Sequence, residues 1–423
     1  MSLHEDMGAA VSEYSDGIVA VDCDRRVIAP GIAAELVERA SFATRAKRVA
    51  AVAAVHAHSV DSEHRFPHEA IAELRAQRLL GILVPSDLGG EGVNVLDVAN
   101  ICYALARSCA STAMIFAMHQ VKAACIVRHG RDSAWMEGLM RKLADEQLLL
   151  ASSTTEGNAG GDVRSSAAPV EQADQHITLD RAATVISYGR EADGIVTTAR
   201  RDPDAEKSDQ VLLVLLKTDY TLEPITTWDT LGMRGTMSVG FRLRARASRE
   251  QIIPVGYHAI HSETMTPTAH LFWSSVWAGI AAGAVDKAHK FVRHVARQSK
   301  GNLPPGAAHL TQAMSSLRAL RAMIAAAALR FEAIAGDPDA LGALDFQNAM
   351  VMLKVEASEL AVAIVMKAMR VGGLSAYRQD GEFSIGRYLR DILSAPIMIH
   401  NDRILTNAIP TSLLASVPDQ LID

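Results

Sequence analysis

Residues 148–166 read LLLASSTTEGNAGGDVRSS, and the chain changes character at this stretch. The residues before it carry apolar side chains at helical spacing. From here on come short β-branched runs: LLLASSTT, then HITL (176–179), ATVIS (183–187), GIVTTAR (194–200) and VLLVLLK (211–217). Gly, Asp, Pro and charged residues separate them. That spacing predicts antiparallel β-structure ending near Val255.

On the N-terminal side, residues 1–28 are weakly periodic. From Pro30 the pattern turns helical, with Ile32, Leu36, Val37 and Ala40 on one face. A second helix follows Pro67 through Ile71, Leu74 and Leu79, the proline standing where a first turn tolerates it. Two more are predicted, Val95 to Cys109 and Ser111 to Gly130. On the C-terminal side the helical period returns after residue 265. Helices are predicted at 268–299, 307–335 and 342–371, with a shorter one at 383–395. Stretches such as Met323 to Leu329 are apolar on nearly all sides, which marks buried helices in a bundle, sealed in part by another subunit. The predicted fold is α+β: a helical domain (1–147), a central antiparallel β domain (148–262) and a C-terminal four-helix bundle (263–423).

Composition narrows the function. The net charge is −6 without a Lys/Arg block, so a nucleic-acid surface is not expected. Cys23, Cys102, Cys109 and Cys125 form no CxxC pair and read as reduced, packed thiols. Glu5 and Asp6 fall where a leader would be apolar, and the longest apolar stretch noted, Leu271 to Val285, is shorter than the roughly 20 residues of a membrane span. A cytoplasmic protein is expected. His56 and His58 face apart on a helix, and Pro67 interrupts His64 and His68, so no metal site is expected. No nucleophile-elbow motif accompanies the Ser, His and Asp residues.

Six segments then fall in a telling order: RLLGILVPSDLGGEGVN (78–94), STTEGNAGGDVRSS (153–166), ATVISYGREADGIVTTAR (183–200), LGMRGTMSVGFRL (231–243), MRVGGLSAY (369–377) and IGRYLRDI (385–392). Each alone reads as a loop, a helix cap or a solvated charge. Together, on matching predicted elements, they resemble the acyl-CoA dehydrogenase superfamily over about residues 30–410. The resemblance implies FAD between the β domain and the bundle. Thr154 and Thr155 would contact the isoalloxazine, and Ser187 stands where the family uses Thr against the ring. Gly160 and Gly161 would line the pyrophosphate or substrate side, and Gly372 and Gly373 would let backbone approach the dinucleotide. Arg297 matches a basic residue that reaches a neighbouring subunit's FAD. The family usually forms tetramers as pairs of dimers, and its electrons pass to a separate acceptor, which can be a protein. Glu156 and Asp162, flanking the Gly-rich turn, read as turn-fixing groups.

The chain departs from the family where the chemistry needs a base. Dehydrogenation of an acyl thioester removes an α proton while the β hydride goes to flavin. Counting on from Arg390 and Asp391, Ile399 falls at the position of the family's Glu, His400 replaces a Gly and Asn401 a Thr. Arg403 matches a flavin-contacting Gln, and by the resemblance Asn401 and Arg403 would both contact the cofactor. A second branch keeps its Glu at the start of the helix after the β domain, where Ala269 stands here. His270 replaces the adjacent Arg that assists CoA. Gly161 replaces the Ser of the Gly-Ser-Asp turn, and Val185 the flavin-covering Trp. His400 is the nearest titratable candidate base, since an imidazole titrates near neutral pH; Asp402 is the other. Three readings follow: an acyl-thioester dehydrogenase with a displaced base, a reduced-flavin monooxygenase, and a non-catalytic binding or assembly member. Nitroalkane or amine-like oxidation on the same scaffold also stays open.

Overall fold

The structure is a computed structural model describing residues 30–156 and 164–414. The chain opens with helices α1 (Pro30–Ser62) and α2 (His68–Ala76). Helix α3 (Val95–Ala106) is capped by Asn94, whose side chain accepts from the Asp97 amide at 2.8 Å. Helix α4 (Ala110–His129) follows directly, because the prolonged apolar pattern is cut only at residues 107–109. Among the described residues α4 is the helix long and apolar enough to cross a membrane, yet 83% of its most apolar window is buried in the protein. Helix α5 (Ala134–Glu146) was not anticipated. Ser133 caps it, and Met136, Leu139, Met140 and Leu143 bury one face at helical spacing.

Two sheets follow. In the first, β1 (Leu150–Ser153) pairs with β4 (Gly194–Arg200), which pairs with β5 (Gln210–Leu216). In the second the order is β2 (Glu171–Ala173), β3 (His176–Ile186), β7 (Val239–Ser248), β6 (Tyr220–Pro224). Strand β3 alternates exposed and buried side chains, so one face is solvated, whereas β4 and β5 are buried on both faces. One pairing corrects the antiparallel expectation: β1 runs parallel to β4. Parallel neighbours need a long crossover, which residues 154–193 supply.

After a short α6 (Tyr257–Ile260) and a π-helical turn (His261–Met265) comes α7 (Thr266–Gln298). It packs on α3 and α4 along one side and on α8 (Ala307–Ile334) and α10 (Leu344–Gly372) along the other. Small α9 (Pro338–Gly342) and α11 (Leu374–Tyr377) fill corners. The expected fourth helix is broken into α12 (Gly386–Ile392) and α13 (Ser394–Ile397), and an unanticipated α14 (Asn401–Leu414) lies on α10. Buried residues of the N-terminal helices, both sheets and the bundle form one contiguous apolar core. Cys102, Cys109 and Cys125 are free and buried in it or beside it; Cys23 lies outside the described residues.

Candidate functional site

Strand β1 runs out at Ser153 into Thr154, Thr155 and Glu156. An isolated bridge from Glu156 to Ala183 sets this segment beside the end of β3. Glu156 is buried. It meets Arg181 at 2.9 Å and accepts from Ser166 Oγ at 2.7 Å and the Ala167 amide at 2.6 Å. Arg181 is fully buried and also donates to the Thr198 carbonyl. Its pKa is lowered, burial outweighing the pull of Glu156. Thr154 and Thr155 are half-buried, and their hydroxyls make no hydrogen bond among the described residues. Gly160, Gly161 and Asp162 lie outside the described residues.

At the end of β3, Ser187 Oγ lies 2.8 Å from Ser238 Oγ, which lies 2.7 Å from Thr236 Oγ1. Thr236 donates in turn to the Met233 carbonyl at 2.8 Å. Met233 is left-handed (φ 54°), and its amide donates to Asp391 Oδ1 at 2.7 Å. This hydroxyl row connects the β3 end through the 231–238 hairpin to α12. Burial pushes the Asp391 carboxyl up to about 6, against the opposing pull of the Met233 amide and Arg387. Its neighbour Arg390 pairs with Asp61 at the end of α1. Three parts of the chain therefore meet at this hairpin.

Between α13 and α14 the chain turns a corner at Ile399 (φ 51°) and His400 (φ 55°). A left-handed conformation explains why a Gly suits the second position, and His is among the residues that tolerate it. The His400 side chain is exposed and has no hydrogen bond among the described residues. Asn401 is buried. It accepts from Lys354 Nζ at 2.6 Å and donates to Ser358 Oγ at 3.0 Å and Glu359 Oε1 at 2.7 Å. Arg403 donates to the Ile399 carbonyl at 3.1 Å.

The remaining expected residues are spread out. His270 is buried on α7 with Nδ1 2.8 Å from the Met350 carbonyl, and burial pushes it down to about 4. It is neutral there and offers no cation to a phosphate. Arg297 is exposed in the last turn of α7. Gly372 ends α10 with Gly373 (φ 52°) after it. The structure thus joins Thr154, Thr155 and Ser187 around the β1 and β3 ends, and joins Ile399, His400, Asn401 and Arg403 in the corner on α10. Ala269 is buried. Among the described residues no three His, Cys, Asp or Glu converge on a metal-sized site.

Residues 38–146 match the family description "Acyl-CoA dehydrogenase, N-terminal domain", and residues 270–414 match "Acyl-CoA dehydrogenase, C-terminal domain". The chain belongs to the acyl-CoA dehydrogenase superfamily. Within it, a "Probable acyl-CoA dehydrogenase FadE25" of Mycobacterium tuberculosis is 25% identical over 346 residues, 80% of this chain and 85% of that protein. A "Cyclohex-1-ene-1-carbonyl-CoA dehydrogenase" of Geobacter metallireducens is 28% identical over 339 residues, covering 78% and 86%. In fold the chain is similar to the FMN-bound dibenzothiophene monooxygenase TdsC of Paenibacillus sp., with a TM-score of 0.77, 17% identity and coverage of 89% and 98%.

Membership in the acyl-CoA dehydrogenase superfamily implies a flavin, and the residues present fit one. A flavin edge presents amide-like donors and acceptors beside a flat apolar ring. The Thr154 and Thr155 hydroxyls are uncommitted among the described residues, and the Ser187 hydroxyl is oriented by Ser238. Lys354, Ser238 and Thr236 were not anticipated here. Lys354 had a legible signal, a lysine on the buried face of VMLKVEASELA.

Proposed function

We propose that this chain is an FAD-dependent oxidoreductase that introduces a double bond α,β to an acyl thioester and passes the electrons to a separate acceptor. Thr154, Thr155 and Ser187 would hold the flavin ring. Gly372, Gly373 and Arg297 would serve the dinucleotide, Arg297 in a second copy of the chain. Bound flavin supplies the hydride acceptor. The proton is this chain's own task, and His400 is the residue assigned to it. One observation supports that assignment: the imidazole is exposed and has no hydrogen-bond partner among the described residues, and it directly follows Ile399, which the motif count sets at the family's base position. In the substrate's α C–H bond the pair stays with carbon while the proton passes to an imidazole nitrogen.

A second reading is a reduced-flavin monooxygenase, favoured by Ile399 itself. An apolar side chain at the base position removes the usual route to an α proton, and oxygen chemistry on reduced flavin does not need that carboxylate.

The deciding experiment follows flavin absorbance near 450 nm (approximate, a general flavin marker) during anaerobic addition of acyl thioesters. Bleaching supports dehydrogenation, and His400→Ala should then slow it roughly 10²–10⁴-fold with flavin still bound. Full activity in that variant sinks the base assignment. Oxygen consumption by added reduced flavin, without bleaching by any thioester, moves the reading to the monooxygenase. Because His270 is neutral and enclosed, free acyl-CoA should bind more weakly than a carrier-protein thioester; tight acyl-CoA binding by calorimetry would overturn that.

A further inference from the structure

The Ile399–His400 corner is held in a backbone conformation that ordinary residues avoid, and for a β-branched Ile the avoidance is strong. Such a corner persists only where its surroundings over-determine it. On the solvent side it has the His400 amide on the Ile397 carbonyl at 3.1 Å and Arg403 on the Ile399 carbonyl at 3.1 Å. On the inner side stands Lys354 of α10. Its Nζ reaches Asn401 Oδ1 at 2.6 Å, just after the corner, and the Pro396 carbonyl at 3.5 Å, just before it. One ammonium therefore spans the corner from behind.

The surroundings of this lysine are unusual. Its side chain is fully buried, with Nζ 5.6 Å from the centre of the Trp277 ring. Trp277 Nε1 and the nearby Ser274 Oγ on α7 are buried without partners. Burial pushes the ammonium down to about 8; Glu359 acts against that shift and Arg403 with it. An ammonium in an enclosed helix seam is costly, and an apolar residue of the same length would fill the space. Packing alone does not account for it, whereas its two oxygen partners on either side of the corner do.

We infer that Lys354 is a positioning residue: with Asn401 as its intermediary it fixes the Ile399–His400 corner against α10, and so sets where the group at residue 400 stands during the reaction. This rests on the reading that the corner faces the chemistry. It does not depend on His400 being the base.

The test uses flavin-loaded protein carrying Lys354→Met, which keeps the chain length without the ammonium, and Asn401→Leu, which cuts the same connection from the corner side. Amide hydrogen exchange across residues 398–404 should rise at least about tenfold in each, with β4 and the middle of α7 unchanged. With a substrate that reduces the wild type, kcat should fall about 10²-fold at nearly constant KM. The double variant should be no worse than the worse single one. Should Lys354→Met fail to fold, Asn401→Leu carries the same comparison. Wild-type exchange at 398–404 in either folded variant overturns the inference, and so does a loosened corner with unchanged kcat. If His400→Ala is fully active while both variants are slow and loosened, the base assignment falls, and what Lys354 positions is the backbone of the corner and not the imidazole.

Discussion

Glu156 and Arg181 form one buried pair that ties the end of the β1 segment to β3 and to residues 166–167. Both are almost wholly enclosed, and each carboxylate oxygen has a donor. Removing one partner leaves the other charged in an apolar setting. Glu156→Gln should therefore cost about 3–5 kcal/mol in urea unfolding, and a change under about 0.5 kcal/mol would show that Arg181 finds another anion. Its place beside a Gly-rich stretch marked Glu156 in the sequence, but nothing there marked its partner. Arg181 lies 25 positions away on a strand whose sequence alternates like any half-exposed strand, and only the bridge between Glu156 and Ala183 sets the two side by side. The same limit hid the engagement of Asn401. Counting from Arg390 gives its place in the order, whereas its amide is committed to a lysine 47 positions earlier.

At the scale of elements, local pattern was enough wherever an element makes its own argument. The three long C-terminal helices fall within a few residues of their predicted bounds because their apolar spacing runs uninterrupted. The short α5 had the spacing and a serine cap in its sequence, and no element was expected there. The break between α12 and α13 and the start of α14 follow from contacts with the hairpin and with α10, which no local spacing encodes. The hairpin makes that coupling testable. A Cβ on Gly232 would come within 2.2 Å of the Arg390 carbonyl oxygen, a backbone atom that cannot yield cheaply. Gly232→Ala should push α12 off the hairpin and destabilise the protein by about 1–3 kcal/mol. On the proposal that Ser187 holds the flavin ring, it should also weaken flavin retention, because Ser187 is aligned through the same hydroxyl row. A variant with wild-type melting and wild-type flavin content would show that α12 and the hairpin are not coupled.

For the whole molecule, three enclosed histidines set the response to acid. His119 accepts from the Leu150 amide at Nδ1 and faces the Leu80 carbonyl with Nε2, which requires the neutral ring. Burial pushes His119, His129 and His270 down to about 4. Between about pH 6.5 and pH 4 the unfolded chain takes up protons that the folded chain refuses, so stability falls as pH falls, by up to about 1.4 kcal/mol per pH unit for each histidine. Asp391 works the other way, since its raised pKa lets the folded state take a proton first below about pH 6. The net expectation is a urea midpoint clearly lower at pH 5 than at pH 7; a flat profile would show the histidines to be accessible. The surface makes a separate prediction. Leu405, Ile409 and Leu413 form an exposed stripe on α14 at i, i+4 and i+8. If this stripe is covered by a second copy of the chain, Ile409→Glu should lower the mass measured by sedimentation, and an unchanged mass would exclude α14 from the subunit contact. Helix α7, finally, closes the N-terminal helices on one side and the bundle on the other. During synthesis the apolar faces of α3 and α4 therefore leave the ribosome long before the helix that covers them exists. The nascent chain must travel through a stage with its central seam open, the kind of exposed apolar surface that invites aggregation before folding is complete.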